Sequence, residues 1–138
     1  MLVGGIGYLT AGFTNKSTWK LTLDYKFTKD QNRVVLIDKN NTNNVIGIST
    51  DNALAFTKWE NGSATEIDRN NYNSGTWYTF TLTRTGTTSF TYDLGQGTNG
   101  TFNFTGFNSI TDLVIGTSYW INGGTTNTYI KNIKVVQV

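Results

Sequence analysis

The 138-residue chain contains no cysteine and no histidine. Disulfides, thiolate nucleophiles, Ser-His-Asp chemistry and imidazole-ligated zinc are thereby excluded within it. The missing cysteines do not fix the compartment, because a domain with a full core needs no staples even outside the cell. Charge is also scarce. Charged residues make up 14% of the chain, against about 25% in an average soluble domain, and Asn, Thr, Ser and Gly take the polar share. Such a surface dissolves through amides and hydroxyls, groups that match the hydroxyls of sugars, although a β-rich fold or a biased genome gives the same letters. Eleven Lys and Arg against nine Asp and Glu leave a formal charge of +2. No basic run is dense enough to track a phosphate backbone, so no nucleic-acid partner is expected. No apolar run approaches the ~20 residues of a membrane-spanning helix, so no membrane insertion is expected. The opening MLVGGIGYLTAG lacks a cationic n-region and is too glycine-rich for a signal peptide, so an export signal would lie outside this sequence.

What is present is alternation. Trp19, Leu21, Leu23, Tyr25 and Phe27 alternate with Lys20, Thr22, Asp24 and Lys26, which predicts a strand with one face in a core and one in water. Further strands are predicted at 33–38, 44–50, 53–59, 64–68, 77–84, 89–94, 112–117 and 129–138, separated by turn-forming clusters such as Asp38–Asn44. No 3.6-residue pattern is sustained. The expectation is one all-β domain over residues 1–138, long enough to bury roughly two thirds of its unfolded surface.

Two hairpins can be placed in register. Asn61-Gly62 is the favoured pair for a two-residue turn, which sets Trp59 opposite Ala64, Thr57 opposite Glu66 and Phe56 opposite Ile67. Phe56 and Ile67 then share the core face, and Ala55, Thr57, Trp59, Ala64, Glu66 and Asp68 share the other. For the next hairpin, a two-residue loop at Thr85-Gly86 would split the apolar set between faces. A three-residue loop, Thr85-Gly86-Thr87, pairs Leu82 with Phe90, Phe80 with Tyr92 and Tyr78 with Leu94, and burial selects it. Its outward face carries Trp77, Thr79, Thr81, Thr83, Ser89, Thr91 and Asp93. Nine or ten short strands of this kind predict an antiparallel β-sandwich.

The order of elements resembles the concanavalin A-like lectin/glucanase superfamily, jelly-roll sandwiches, and especially its laminin G-like members. Gly75–Gly86 resembles the Trp-led strand ending in a glycine turn, Leu113–Gly116 the penultimate strand, and Ile130–Val135 the closing strand that returns beside the N-terminus. That superfamily includes glucanases whose active strand reads E-x-D followed closely by a second Glu. Glu66-Ile67-Asp68 is a near match, but it continues Arg69-Asn70-Asn71, without the second Glu. The only other glutamate, Glu60, falls on the opposite face by the hairpin register. Glu66 and Asp68, at i and i+2, would stand about 6.5–7 Å apart, inside the roughly 6.5–9.5 Å of inverting glycosidases. The departure from the family pattern speaks against hydrolysis, and no enzyme activity is expected.

Binding needs less. A sugar offers a C–H face that stacks on aromatic rings and a rim of hydroxyls that pair with carboxylates and amides. Trp59, Tyr72, Tyr119 and Trp120 lie in or beside loops, near Asn70, Asn71, Asn73, Asn122 and Asn127, with Glu66 and Asp68 beside Trp59. Tyr119 and Trp120 interrupt the turn-forming stretch GTSYWINGGTTNT, where a ligand rather than a core would cover them; the bland alternative is that one ring plugs the end of the sandwich. Asp38, Asn40, Asn43 and Asn44 offer oxygens to Ca²⁺, as the resemblance implies for some laminin G-like domains. They include only one carboxylate, and an Asn-rich turn explains the same letters, so no cofactor or metal is expected. The expected role is a non-catalytic carbohydrate-recognition module that binds a polysaccharide or glycan. Its setting would be extracellular, on a cell surface or virion. The alternative is a structural or oligomerising β-domain, for which Thr-rich outer faces and an uncapped edge strand at Val135–Val138 are suited.

Overall fold

A computed structural model describes residues 2–3, 6–8, 18–28, 33–38, 40–50, 53–107, 113–116 and 128–138. Twelve strands are found among them: β1 (Leu2–Val3), β2 (Ile6–Tyr8), β3 (Trp19–Phe27), β4 (Arg33–Asp38), β5 (Val45–Thr50), β6 (Leu54–Glu60), β7 (Ser63–Asn70), β8 (Tyr78–Arg84), β9 (Ser89–Asp93), β10 (Asn99–Asn103), β11 (Leu113–Gly116) and β12 (Thr128–Gln137). They form two six-stranded antiparallel sheets. Sheet A runs β1-β12-β3-β8-β9-β10 and sheet B runs β2-β11-β4-β5-β6-β7. The closing strand β12 does return beside the N-terminal β1 and pairs with β3 on its other side. The expected edge at Val135–Val138 is open along one side. β1 pairs with Tyr129 and Ile130, and beyond them only β3 pairs with β12 among the described residues.

Period-two alternation places one face of each sheet in a shared core. Trp19, Leu21, Leu23, Tyr25 and Phe27 of β3 are buried, as are Val34, Leu36, Ile46, Ile48, Leu54 and Phe56 from sheet B. Rings fill the gap between the sheets: the Phe56 centroid lies 4.6 Å from Tyr92, 5.5 Å from Phe102 and 5.9 Å from Phe80. Phe104 and Phe107, beyond β10, complete the same cluster. Trp19 and Tyr25 are core as their parity requires, and the Tyr25 hydroxyl donates to Leu94 O at 2.7 Å. β10, which the sequence analysis does not foresee, is covered on its core face through Phe102 alone, a weak signal in the otherwise polar NGTFN.

The β8–β9 hairpin differs from its expected register by two residues. Leu82 faces Tyr92 and Arg84 faces Phe90, while Thr85 N donates to Ser89 O at 2.9 Å. This register brings Arg84 under cover with its Nη2 3.3 Å from Thr87 O, leaving Gly86-Thr87-Thr88 as the loop. An offset of two preserves side-chain parity, so Phe80, Leu82, Phe90 and Tyr92 are all buried as expected.

The β6–β7 hairpin follows its expected register only at first. Asn61 and Gly62 take φ of 50° and 86°, the left-handed pair of a tight two-residue turn. Trp59 faces Ala64 and Thr57 faces Glu66, but Phe56 faces Asp68, not Ile67. Ile67 is the extra residue of a β-bulge, and the parity of the strand reverses beyond it. Asp68 consequently leaves the face shared by Trp59 and Glu66 and turns toward the core side, while Arg69 takes its place outside. The bulge has a physical reason. It lets Ile67 pack on the core and lets Asp68 Oδ2 accept from the Tyr92 hydroxyl at 2.6 Å.

Candidate functional site

The outer face of sheet B grades from covered to open. On β4 and β5, Val35, Ile37 and Val45 form a second buried apolar cluster, and the half-buried Trp59 of β6 packs against its rim. β4 is thus apolar on both faces, as the run Val34-Val35-Leu36-Ile37 shows. Thr57 beside Trp59 is half-buried, and Ala64, Glu66 and Arg69 on the edge strand β7 are exposed. Opposite pairs share a face, so this face carries the buried Ala55 with Arg69, Thr57 with Glu66 and Trp59 with Ala64. Glu66 is diagonal to Trp59, about 7–8 Å away by sheet geometry.

Arg69 grips Glu66 with both prongs: Nε to Oε1 is 2.7 Å and Nη2 to Oε2 is 2.9 Å. The bulge places these two residues, three apart, on one face. The hydrogen bonds from Arg69 hold the Glu66 carboxyl below its ordinary range, so at neutral pH it is an anionic acceptor. A general acid requires the opposite shift. Among the described residues, Glu66 is the only carboxylate on this face; Asp68 of the E-x-D pair takes the other and accepts from Tyr92. What the strip of β6 and β7 offers is an aromatic ring, the exposed Ala64 opposite it, and a forked ion pair on the edge strand. A bidentate pair of this kind suits vicinal hydroxyls.

Glu60 lies on the opposite face, as the register requires. Its Oε1 accepts from Thr105 N at 3.1 Å, and Lys58 donates to Asn103 O at 2.6 Å, tying β6 to the end of β10. Asp68 belongs to a polar seam along the open edge between the sheets, where Asn70 Nδ2 also donates to Thr98 Oγ1. Tyr92 reaches Asp68 across β10 because Gly100 is its partner there: a Cβ at residue 100 would stand 2.9 Å from the Tyr92 hydroxyl oxygen and 3.2 Å from its ring. Tyr72 packs half-buried against the main core. Tyr119, Trp120, Asn122 and Asn127 lie outside the described residues. Arg69 is the residue that sequence reasoning missed, because strict alternation puts it inside; only the bulge, which leaves no mark in the local pattern, brings it out.

The Asn-rich loop after β4 uses its oxygens to build turns. Asp38 accepts from Asn40 N at 2.9 Å and from Phe107 N at 3.3 Å, Asn41 from Asn43 N at 3.2 Å, and Asn44 from Asn61 N at 2.9 Å. The last of these braces the β6–β7 turn and so steadies the strip above it.

Burial, and secondarily the neighbouring Asp68 carboxylate, pushes the Tyr92 hydroxyl up to about 12, and burial also raises Tyr25. Free tyrosine titrates near 10. A group that holds its proton more tightly when folded gives stability that is complete below the unfolded value and is lost as pH rises through the folded one. The denaturation midpoint is therefore expected to decline between pH 10 and about 12, and the decline should be shallower in Tyr92→Phe. Equal slopes in chemical denaturation series would contradict the assignment.

No protein-family model matches the sequence, and no curated protein matches it. Solved structures do. The chain is similar to the galectin LEC-6 of Caenorhabditis elegans, with a TM-score of 0.64 and 12% identity over 99% of this chain and 92% of that one. It is also similar to the carbohydrate binding module CBM66 from Bacillus subtilis, with a TM-score of 0.57 and 14% identity over 86% and 74% of the two chains. Domains LG4-5 of the mouse laminin α1 chain give a TM-score of 0.60 at 12% identity, over 99% of this chain and 40% of that one. At such identities the likeness is one of architecture, and it agrees with the strand order: the chain has the jelly-roll sandwich of the concanavalin A-like lectin fold.

Proposed function

We propose that the protein is a non-catalytic carbohydrate-recognition module that holds a sugar chain on the outer face of β6 and β7. The observation that carries this reading is the convergence of Trp59 with the Glu66–Arg69 fork on the exposed strip of β6 and β7. The ring stacks on the C–H face of a sugar while the Glu66 carboxylate, held in place by Arg69, accepts from a neighbouring hydroxyl. Two of the similar structures are a galectin and a carbohydrate binding module, which agrees with the reading. Tyr119, Trp120, Asn122 and Asn127 remain candidates for a second part of the same site. Presentation outside the cell or on a virion fits a module whose ligand is a glycan.

A glycan array tests this. The parent protein is expected to retain a defined set of neutral oligosaccharides. Arg69→Met, which keeps the apolar stem but removes the donors and leaves Glu66 unpaired, should weaken those hits by about 1–3 kcal/mol, the cost of a lost charge-assisted pair. An array without hits, together with concentration-dependent self-association, would favour the structural alternative. That alternative draws on one observation, the exposed Ile133 and Val138 along the half-paired β12.

A further inference from the structure

The outer face of sheet A carries a pattern that the sugar-binding strip does not use. Strand alternation points Lys20, Thr22, Asp24 and Lys26 of β3 outward. On β12 it would send Lys131 and Lys134, three apart, to opposite faces. A bulge intervenes: the register shifts between Lys131 and Lys134, with Asn132 in the left-handed region at φ 55°. Lys131 then faces Asp24 and Lys134 faces Thr22, both outward. With Tyr129 facing Lys26 and Val136 facing Lys20, four successive cross-strand rows each hold one lysine. The rows are spaced by about 7 Å, so the line of ammonium groups runs for roughly 20 Å.

Among the described residues, neutralisation along this line is slight. Among the described residues, neither Lys26 nor Lys131 forms a salt bridge. Asp24, which faces Lys131, accepts at its two oxygens from Thr79 Oγ1 at 2.7 Å and Asn132 Nδ2 at 2.8 Å. Lys131 Nζ stands 3.9 Å from the Trp77 ring centroid and Lys26 Nζ 4.8 Å from it, with Lys26 also 4.7 Å from Tyr129. Two cations drawn to one indole, with a net charge of three on the line, make a receptor for anions. Beside it on β8 run Thr79, Thr81 and Thr83, paired with Asp24, Thr22 and Lys20, a row of hydroxyls.

We propose that this face binds a linear acidic polysaccharide, its carboxylates or sulfates on the lysine line and its hydroxyls on the threonine row. A single-stranded nucleic acid fits less well. Its bases need open aromatic faces on which to stack, and here the ammonium groups of Lys26 and Lys131 already stand over the rings. Because the surface is on the opposite side of the sandwich from Trp59, this binding does not rest on the neutral-glycan reading.

The test measures retention of heparin and polygalacturonate by affinity electrophoresis, with dextran and oligothymidylate as comparators. Binding of either acidic polysaccharide is expected at low salt. It should weaken roughly 20-fold from about 50 to about 200 mM NaCl, for three contacts at about 0.7 counterion each. Lys26→Gln/Lys131→Gln should lose at least about tenfold, Lys26→Arg/Lys131→Arg should retain binding, and Trp59→Ala should bind as the parent does. The proposal is overturned by absence of retention at low salt, by undiminished binding in the glutamine variant, or by oligothymidylate binding as tightly as the acidic polysaccharides.

Discussion

Phe56→Ala is expected to lower the unfolding free energy by about 3–5 kcal/mol, the range for removing a fully buried aromatic ring. Phe56 is 0% exposed and joins the two sheets: it comes from β6 of sheet B and meets Phe80, Tyr92 and Phe102 of sheet A. Loss of its ring removes contacts to three strands at once and leaves a cavity that neighbouring rings cannot fill without leaving their rotamers. The cost should exceed that of Phe102→Ala, whose ring is half-exposed on the edge strand. Equilibrium denaturation checks this, and a loss below about 1 kcal/mol would show that the two sheets do not share the core described here.

The second large effect concerns binding. Trp59→Ala is expected to cost about 1–3 kcal/mol of glycan affinity, a typical loss for an aromatic anchor. Some stability should go with it, since Trp59 also packs against the rim of the Val35, Ile37 and Val45 cluster. Trp59→Phe separates the two roles. It keeps a ring on the strip and most of the packing, so both losses should be smaller. Isothermal titration with an array hit gives the affinities and thermal melting gives the stabilities. An alanine variant that melts lower but binds unchanged would make Trp59 a packing residue only.

The contrast between fold and site explains what the sequence made legible. Parity survives errors of two, so the misplaced β8–β9 register still gave the correct core. β3, buried on its odd residues and flanked by lysines, reads directly from its letters. Two things do not. β10 has one apolar residue facing the core, too little signal to mark a strand. Bulges carry no periodic signature, because a single added residue is chosen by distant contacts: on β7 by Tyr92, which needs a carboxylate across the seam, and on β12 by Asp24, which takes the Asn132 amide. Each bulge reverses parity, and each moved a charged side chain. Alternation placed Glu66 and Asp68 together as a near-catalytic pair, whereas the bulge separates them and brings Arg69 beside Glu66. That Trp59 and Glu66 share a face was legible, and that Arg69 joins them was not.

The central claim is that sugar lies on the β6–β7 strip of sheet B. Amide and indole chemical shifts, followed while an array hit is titrated into isotopically labelled protein, test it most directly. The account predicts that the largest changes fall on Thr57, Trp59, Glu66 and Arg69, including the Trp59 indole N–H, while Asp24, Trp77 and Lys131 on the far sheet stay still. Changes confined to the far sheet, or to 117–127 with the Trp59 indole unmoved, would contradict it.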